Sequence, residues 1–82
     1  MRPSDLATAV TFRAMLRDGH VARKLGEAGI SAAEIARQLG VSRASVADWN
    51  TGRKRPSDAN AVAYSRLLAR LTPAPKAEEN AR

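Results

Sequence analysis

The chain has 82 residues, no cysteine and a net charge of +6, from 14 basic against 8 acidic side chains. That length allows one small domain near the lower limit for a self-supporting core, and the absent thiols exclude disulfides and thiolate metal sites. The positive balance points to an anionic partner, and no apolar run approaches the ~20 residues that cross a bilayer.

The opening run, RPSDLATAVTFRAMLRDG, places Ser4 as a helix cap after Pro3, and Leu6, Ala9, Phe12 and Leu16 recur at helical spacing. Asp18-Gly19 interrupts the pattern, which predicts a break or kink before Val21, Leu25 and Ala28 resume on one face. Gly29 supplies a helix stop with Ile30 as the apolar contact behind it. Next comes SAAE, a capping box: the Ser31 hydroxyl is expected to accept from the Glu34 amide, and the Glu34 carboxylate to reach back to Ser31. Ile35, Ala36 and Leu39 form the inner face of that helix, and Gly40 ends it.

Val41 plugs the turn, Ser42 caps the next segment, and RASVADWN reads as a helix with Val46 and Trp49 inward. TGRKRP is a basic turn. Pro56 and Ser57 open a last helix striped by Ala61, Tyr64, Leu68 and Leu71. From Thr72 the chain has two prolines, many charges and no periodicity, the composition of a flexible tail. No strand pattern and no repeat appears, so the expected fold is all-α.

A helix ending at Gly40 and another starting after Ser42 leave a turn too short for anything but two helices in direct contact. The small Ala36 lets them approach, and the pair projects the start of the second helix at a width that fits the major groove of B-DNA. Ile35-Ala36, Leu39-Gly40-Val41-Ser42, Val46, Trp49, Gly52 and Pro56 together resemble the helix-turn-helix of the lambdoid phage repressor and Cro family, the Xre-like regulators. The resemblance covers about residues 20–71. It implies a compact four- to five-helix domain of the lambda-repressor type over 20–71, with its motif at about 32–51. An N-terminal helical segment over 1–19 precedes it, and the tail, 72–82, comes after it.

For function, the resemblance implies sequence-specific binding to double-stranded DNA. Family base contacts carry over to Ser42, Arg43, Ala44, Ala47 and Asp48. Chemistry favours Arg43, whose guanidinium can donate twice to one guanine, while Ala44 suits a thymine methyl. A carboxylate at Asp48 repels phosphate, so orienting Arg43 is its favoured role, with direct readout of cytosine as the other. Many family members carry a phosphate-binding glutamine where this chain has Ala32, which shifts backbone anchoring onto Ser31, Ser42, Ser45 and the basic turn. Arg53, Lys54 and Arg55 are the expected phosphate clamp, adding about −2.7 to the slope of log K against log salt. Arg23 and Lys24 are weaker candidates, and Arg37 is expected to pair with Glu34.

No enzyme is expected: the single histidine, His20, has no nucleophile and base arranged around it, and no glycine-rich phosphate loop is present. No metal or other cofactor is implied. The expectation is a cytoplasmic homodimeric repressor of phage or bacterial type, acting on a roughly palindromic operator without membrane contact. Its subunit contact is expected either at Leu67, Leu68 and Leu71 or at Phe12, Met15 and Leu16. Two alternatives stand beside it: an antitoxin whose tail from Thr72 binds a toxin, and a protein-interaction module that keeps the fold alone.

Overall fold

The computed structural model describes residues 2–71, which form five helices and no strand: α1 (Pro3–Arg17), α2 (His20–Ala28), α3 (Ala32–Leu39), α4 (Arg43–Asn50) and α5 (Asp58–Leu71). The tail expected over 72–82 lies outside the described residues. The break at Asp18-Gly19 is present, and it separates α1 from α2. α1 lies along α5 and also meets α2 and α4, while α3 packs on α4 and α5.

One core joins all five helices. Ala9, Phe12 and Leu16 come from α1, Val21 and Leu25 from α2, Ile35 and Ala36 from α3, Val46 and Trp49 from α4. Ala61, Val62, Tyr64, Leu67 and Leu68 complete it from α5. Tyr64 sits between the other two aromatic rings, edge-on to Phe12 at 5.0 Å and tilted against Trp49 at 6.2 Å. Such pairs add roughly 0.5–1.5 kcal/mol each beyond their buried area. Among the described residues no buried side-chain nitrogen or oxygen lacks a partner.

Several local expectations change. α1 starts at Pro3 with Arg2 as its cap, so Ser4 lies inside the helix; the Arg2 amide donates to the Asp5 carboxylate at 3.4 Å instead. Leu6 is 49% exposed. It stands about a quarter turn off the line through Ala9, Phe12 and Leu16, and Asp5 takes that line and accepts from Arg66 of α5 at 2.9 Å. Ala28 is exposed as well, beside the glycine that ends α2. On α5 the buried stripe includes Leu67, whereas Leu71 lies at the exposed end of the helix.

Both expected subunit surfaces are thereby altered. Phe12, Leu16, Leu67 and Leu68 are core residues of a single chain, with Met15 packed against them. The large apolar side chains that do reach solvent are Leu6, Val10 and Leu71.

Candidate nucleic-acid interface

Caps on either side of a short turn hold α3 and α4 in place. The Ser31 hydroxyl accepts from the Glu34 amide at 3.2 Å, as the capping box predicts. The reciprocal bond is missing: the Glu34 carboxylate pairs with Arg37 and accepts from Gln38 at 3.3 Å. A guanidinium one turn on is a stronger donor to a carboxylate than the neutral amide of Ser31. At the other end of α3, Gly40 has φ +74°, and the Gly40 and Val41 amides both donate to the Ala36 carbonyl, at 2.9 and 3.1 Å. Only glycine adopts that left-handed backbone without strain, so the chain reverses within three residues and Ser42 caps α4. The Ser42 hydroxyl accepts from the Ser45 amide at 3.0 Å and donates to the Ser45 hydroxyl at 2.9 Å.

Burial of Val46 and Trp49 fixes the rotation of α4. Ala44 and Ala47 are then exposed on the opposite side and Arg43 on its flank, with Ser42 exposed at the helix start. Thr51, which no sequence motif singles out, extends this face by one turn; its hydroxyl donates back to the carbonyls of Ala47 and Asp48 at 3.1 and 3.2 Å. Asn50 is held from behind, where its Oδ1 accepts from the Tyr64 hydroxyl at 2.7 Å. Burial pushes the Tyr64 phenol up to about 12, against the opposing pull of the Asn50 bond.

Asp48 does not serve Arg43. Its carboxylate lies 3.8 Å from both Arg53 Nε and Lys54 Nζ, and its carbonyl accepts from the amides of the same two residues at 2.9 and 3.2 Å. The reason is helical geometry: positions five apart diverge by roughly 140° around the axis, so Arg43 and Asp48 do not face one another. Gly52, at φ +78°, turns the chain back so that the basic residues reach Asp48. Arg53, Lys54 and Arg55 are all exposed, and Asp48 offsets part of their charge. Ser31 is exposed and Ser45 half-buried, while Arg23 and Lys24 lie on α2.

Another basic residue meets this turn from α1. Gly52 packs against the backbone of Arg17, where a β-carbon would come within 3.6 Å of its Cα. Arg13 fastens the two segments by donating to the Pro56 carbonyl at 3.0 Å and pairing with Asp58. Between them lies a cleft of about 100 Å³, floored by Leu16, Trp49 and Pro56 and rimmed by Arg17, Lys54 and Arg55. No group of three acidic or histidine side chains among the described residues could hold a metal ion. No described helix is long and apolar enough to cross a membrane.

A helix-turn-helix family model matches residues 21–74, from α2 through the end of α5. The chain belongs to that family, the Xre and lambda-repressor-like helix-turn-helix proteins. As a helix-turn-helix protein it is a DNA-binding transcriptional regulator by class, and the fold is the all-α fold of the group. α1 lies outside the matched segment, although it supplies part of the core. No curated protein and no solved structure shows significant similarity to the chain.

Proposed function

We propose that the protein is a repressor that binds an inverted-repeat operator as a homodimer. The observation that carries this reading is the exposed face of α4, where Arg43, Ala44 and Ala47 stand clear of the core and Arg43 has no acidic partner among the described residues. A free guanidinium near the start of a projecting helix can donate to O6 and N7 of one guanine, a contact worth ~1–3 kcal/mol of discrimination. Ala44 and Ala47 are small enough to let the helix enter the groove, and Ala44 can rest on a thymine methyl. Ser42 stands at the groove edge. Ser31, Ser45, Arg53, Lys54 and Arg55 bind phosphates, the basic turn contributing most of the salt dependence. Asp48 acts on the turn rather than on a base, since its carboxylate already faces Arg53 and Lys54.

Dimerisation follows from information content. One helix reads only a few base pairs, so two copies on half-sites about 34–36 Å apart are needed to find an operator among a genome of competitors. The apolar side chains free for such a contact are Leu6 and Val10 on α1 and Leu71 on α5. Selection from sheared source DNA, with sequencing of the retained fragments, tests the reading. Recovery of a shared inverted repeat, lost with Arg43→Ala, supports it; retention without any shared sequence contradicts it.

A further inference from the structure

We infer that the DNA-binding surface extends beyond the helix-turn-helix segment onto α1, where Arg17 forms a phosphate contact together with Arg55. This inference rests on the DNA-binding reading above and adds a residue that the family match, residues 21–74, does not include. Its basis is the packing of Gly52 on the Arg17 backbone, which places the end of α1 against the basic turn. Arg17 and Arg55 rim the same cleft, and both are exposed.

Charge pairing then separates the cations around this cleft. Arg13 is committed to Asp58 and the Pro56 carbonyl, and Arg53 and Lys54 share Asp48. Arg17 and Arg55 have no acidic partner among the described residues. Asp18, next in sequence to Arg17, is exposed and makes no ion pair there. A phosphate meeting Lys54 and Arg55 therefore finds a second unpaired guanidinium on the α1 side, held by a helix that Arg13 fastens to the turn. Guanidinium forks suit phosphate oxygens, and each phosphate neutralised releases counterions from the duplex.

The test is a salt titration of affinity for a fluorescent duplex of arbitrary sequence, using the full chain. Variants are Arg17→Gln, Arg17→Lys, the triple change of Arg53, Lys54 and Arg55 to Gln, and Arg70→Gln. Arg70 is an exposed cation beside Gln38 and Arg66, away from the turn, and controls for loss of one charge. Arg17→Gln is expected to flatten the slope of log K against log salt by about 0.9, so that the loss between ~50 and ~200 mM salt shrinks roughly threefold. Arg17→Lys restores the slope, and Arg70→Gln leaves it nearly unchanged. If Arg17→Gln matches Arg70→Gln while the triple variant still flattens the slope, Arg17 is off the DNA and the inference fails alone. If the triple variant also changes nothing, the DNA-binding reading of the turn fails with it. Circular dichroism of each variant shows that the helices persist.

Discussion

Tyr64 donates its buried hydroxyl to Asn50 at 2.7 Å, tying the middle of α5 to the last residue of α4. The same ring packs against Phe12 and Trp49, so one side chain fixes the rear of α4 to α1 and α5. Tyr64→Phe keeps the ring contacts and removes the bond, leaving the Asn50 amide oxygen to find water. The expected loss is about 1 kcal/mol, or a fall in Tm of roughly 4–8 °C for a domain of this size. Thermal unfolding monitored by circular dichroism checks it.

Alkaline pH acts on the same residue. Burial holds the phenol protonated up to about 12 in the folded chain, above its ordinary value near 10. Between those values the unfolded chain has released a proton that the folded chain keeps, so stability declines as pH rises from about 10 to about 12. Tm is therefore expected to fall across that window, and less steeply in Tyr64→Phe. Tyr64 is the only tyrosine, so tyrosinate absorbance should appear with unfolding rather than before it.

Neutralising Asp48 is expected to tighten DNA binding rather than weaken it. Asp48→Asn frees Arg53 and Lys54 from the carboxylate that lies 3.8 Å from each. Because Arg53 and Lys54 are largely exposed and each stands 3.8 Å from the half-buried carboxylate, stability changes by less than ~1 kcal/mol. Affinity for a duplex of arbitrary sequence is expected to rise several-fold, with a steeper salt slope. An anisotropy titration showing unchanged affinity would remove the Asp48 carboxylate from the clamp.

α1 is part of the folding unit despite lying outside the family match. Without it, Ala9, Phe12 and Leu16 are gone, and Tyr64 keeps only Trp49 of its two partner rings. Phe12→Ala alone is expected to lose ~3–5 kcal/mol, against a total of about 5–15 kcal/mol for a domain. A chain starting at His20 should show no cooperative unfolding transition in urea. A sharp transition from that shortened chain would mean that α2–α5 carry the core themselves.

Features set by neighbours in sequence are legible without the fold. The caps at Ser31 and Ser42, the left-handed Gly40 and the inward Val46 and Trp49 all depend on residues within a turn or two. Competition and distance account for the misses. Glu34 has several donors within one turn, and spacing alone does not rank a guanidinium above a backbone amide. The Arg13–Asp58 and Arg66–Asp5 contacts join residues 45 and 61 positions apart, which helical periodicity cannot foresee. Arg17 escapes for the same reason: its place beside Gly52 depends on how α1 meets the turn, not on any local motif. Phe12, Leu16, Leu67 and Leu68, expected at a subunit contact, lie in the core because apolar stripes mark whatever face is buried, and here α1 and α5 bury theirs against each other.

The most direct test of operator recognition is a competition at about 0.15 M salt between a fragment recovered by selection and the same fragment with its bases shuffled. A specific regulator is predicted to prefer the recovered site by about a thousandfold or more, with two copies bound per duplex. A ratio near unity would contradict it, leaving a basic helical domain that holds DNA only through its phosphates.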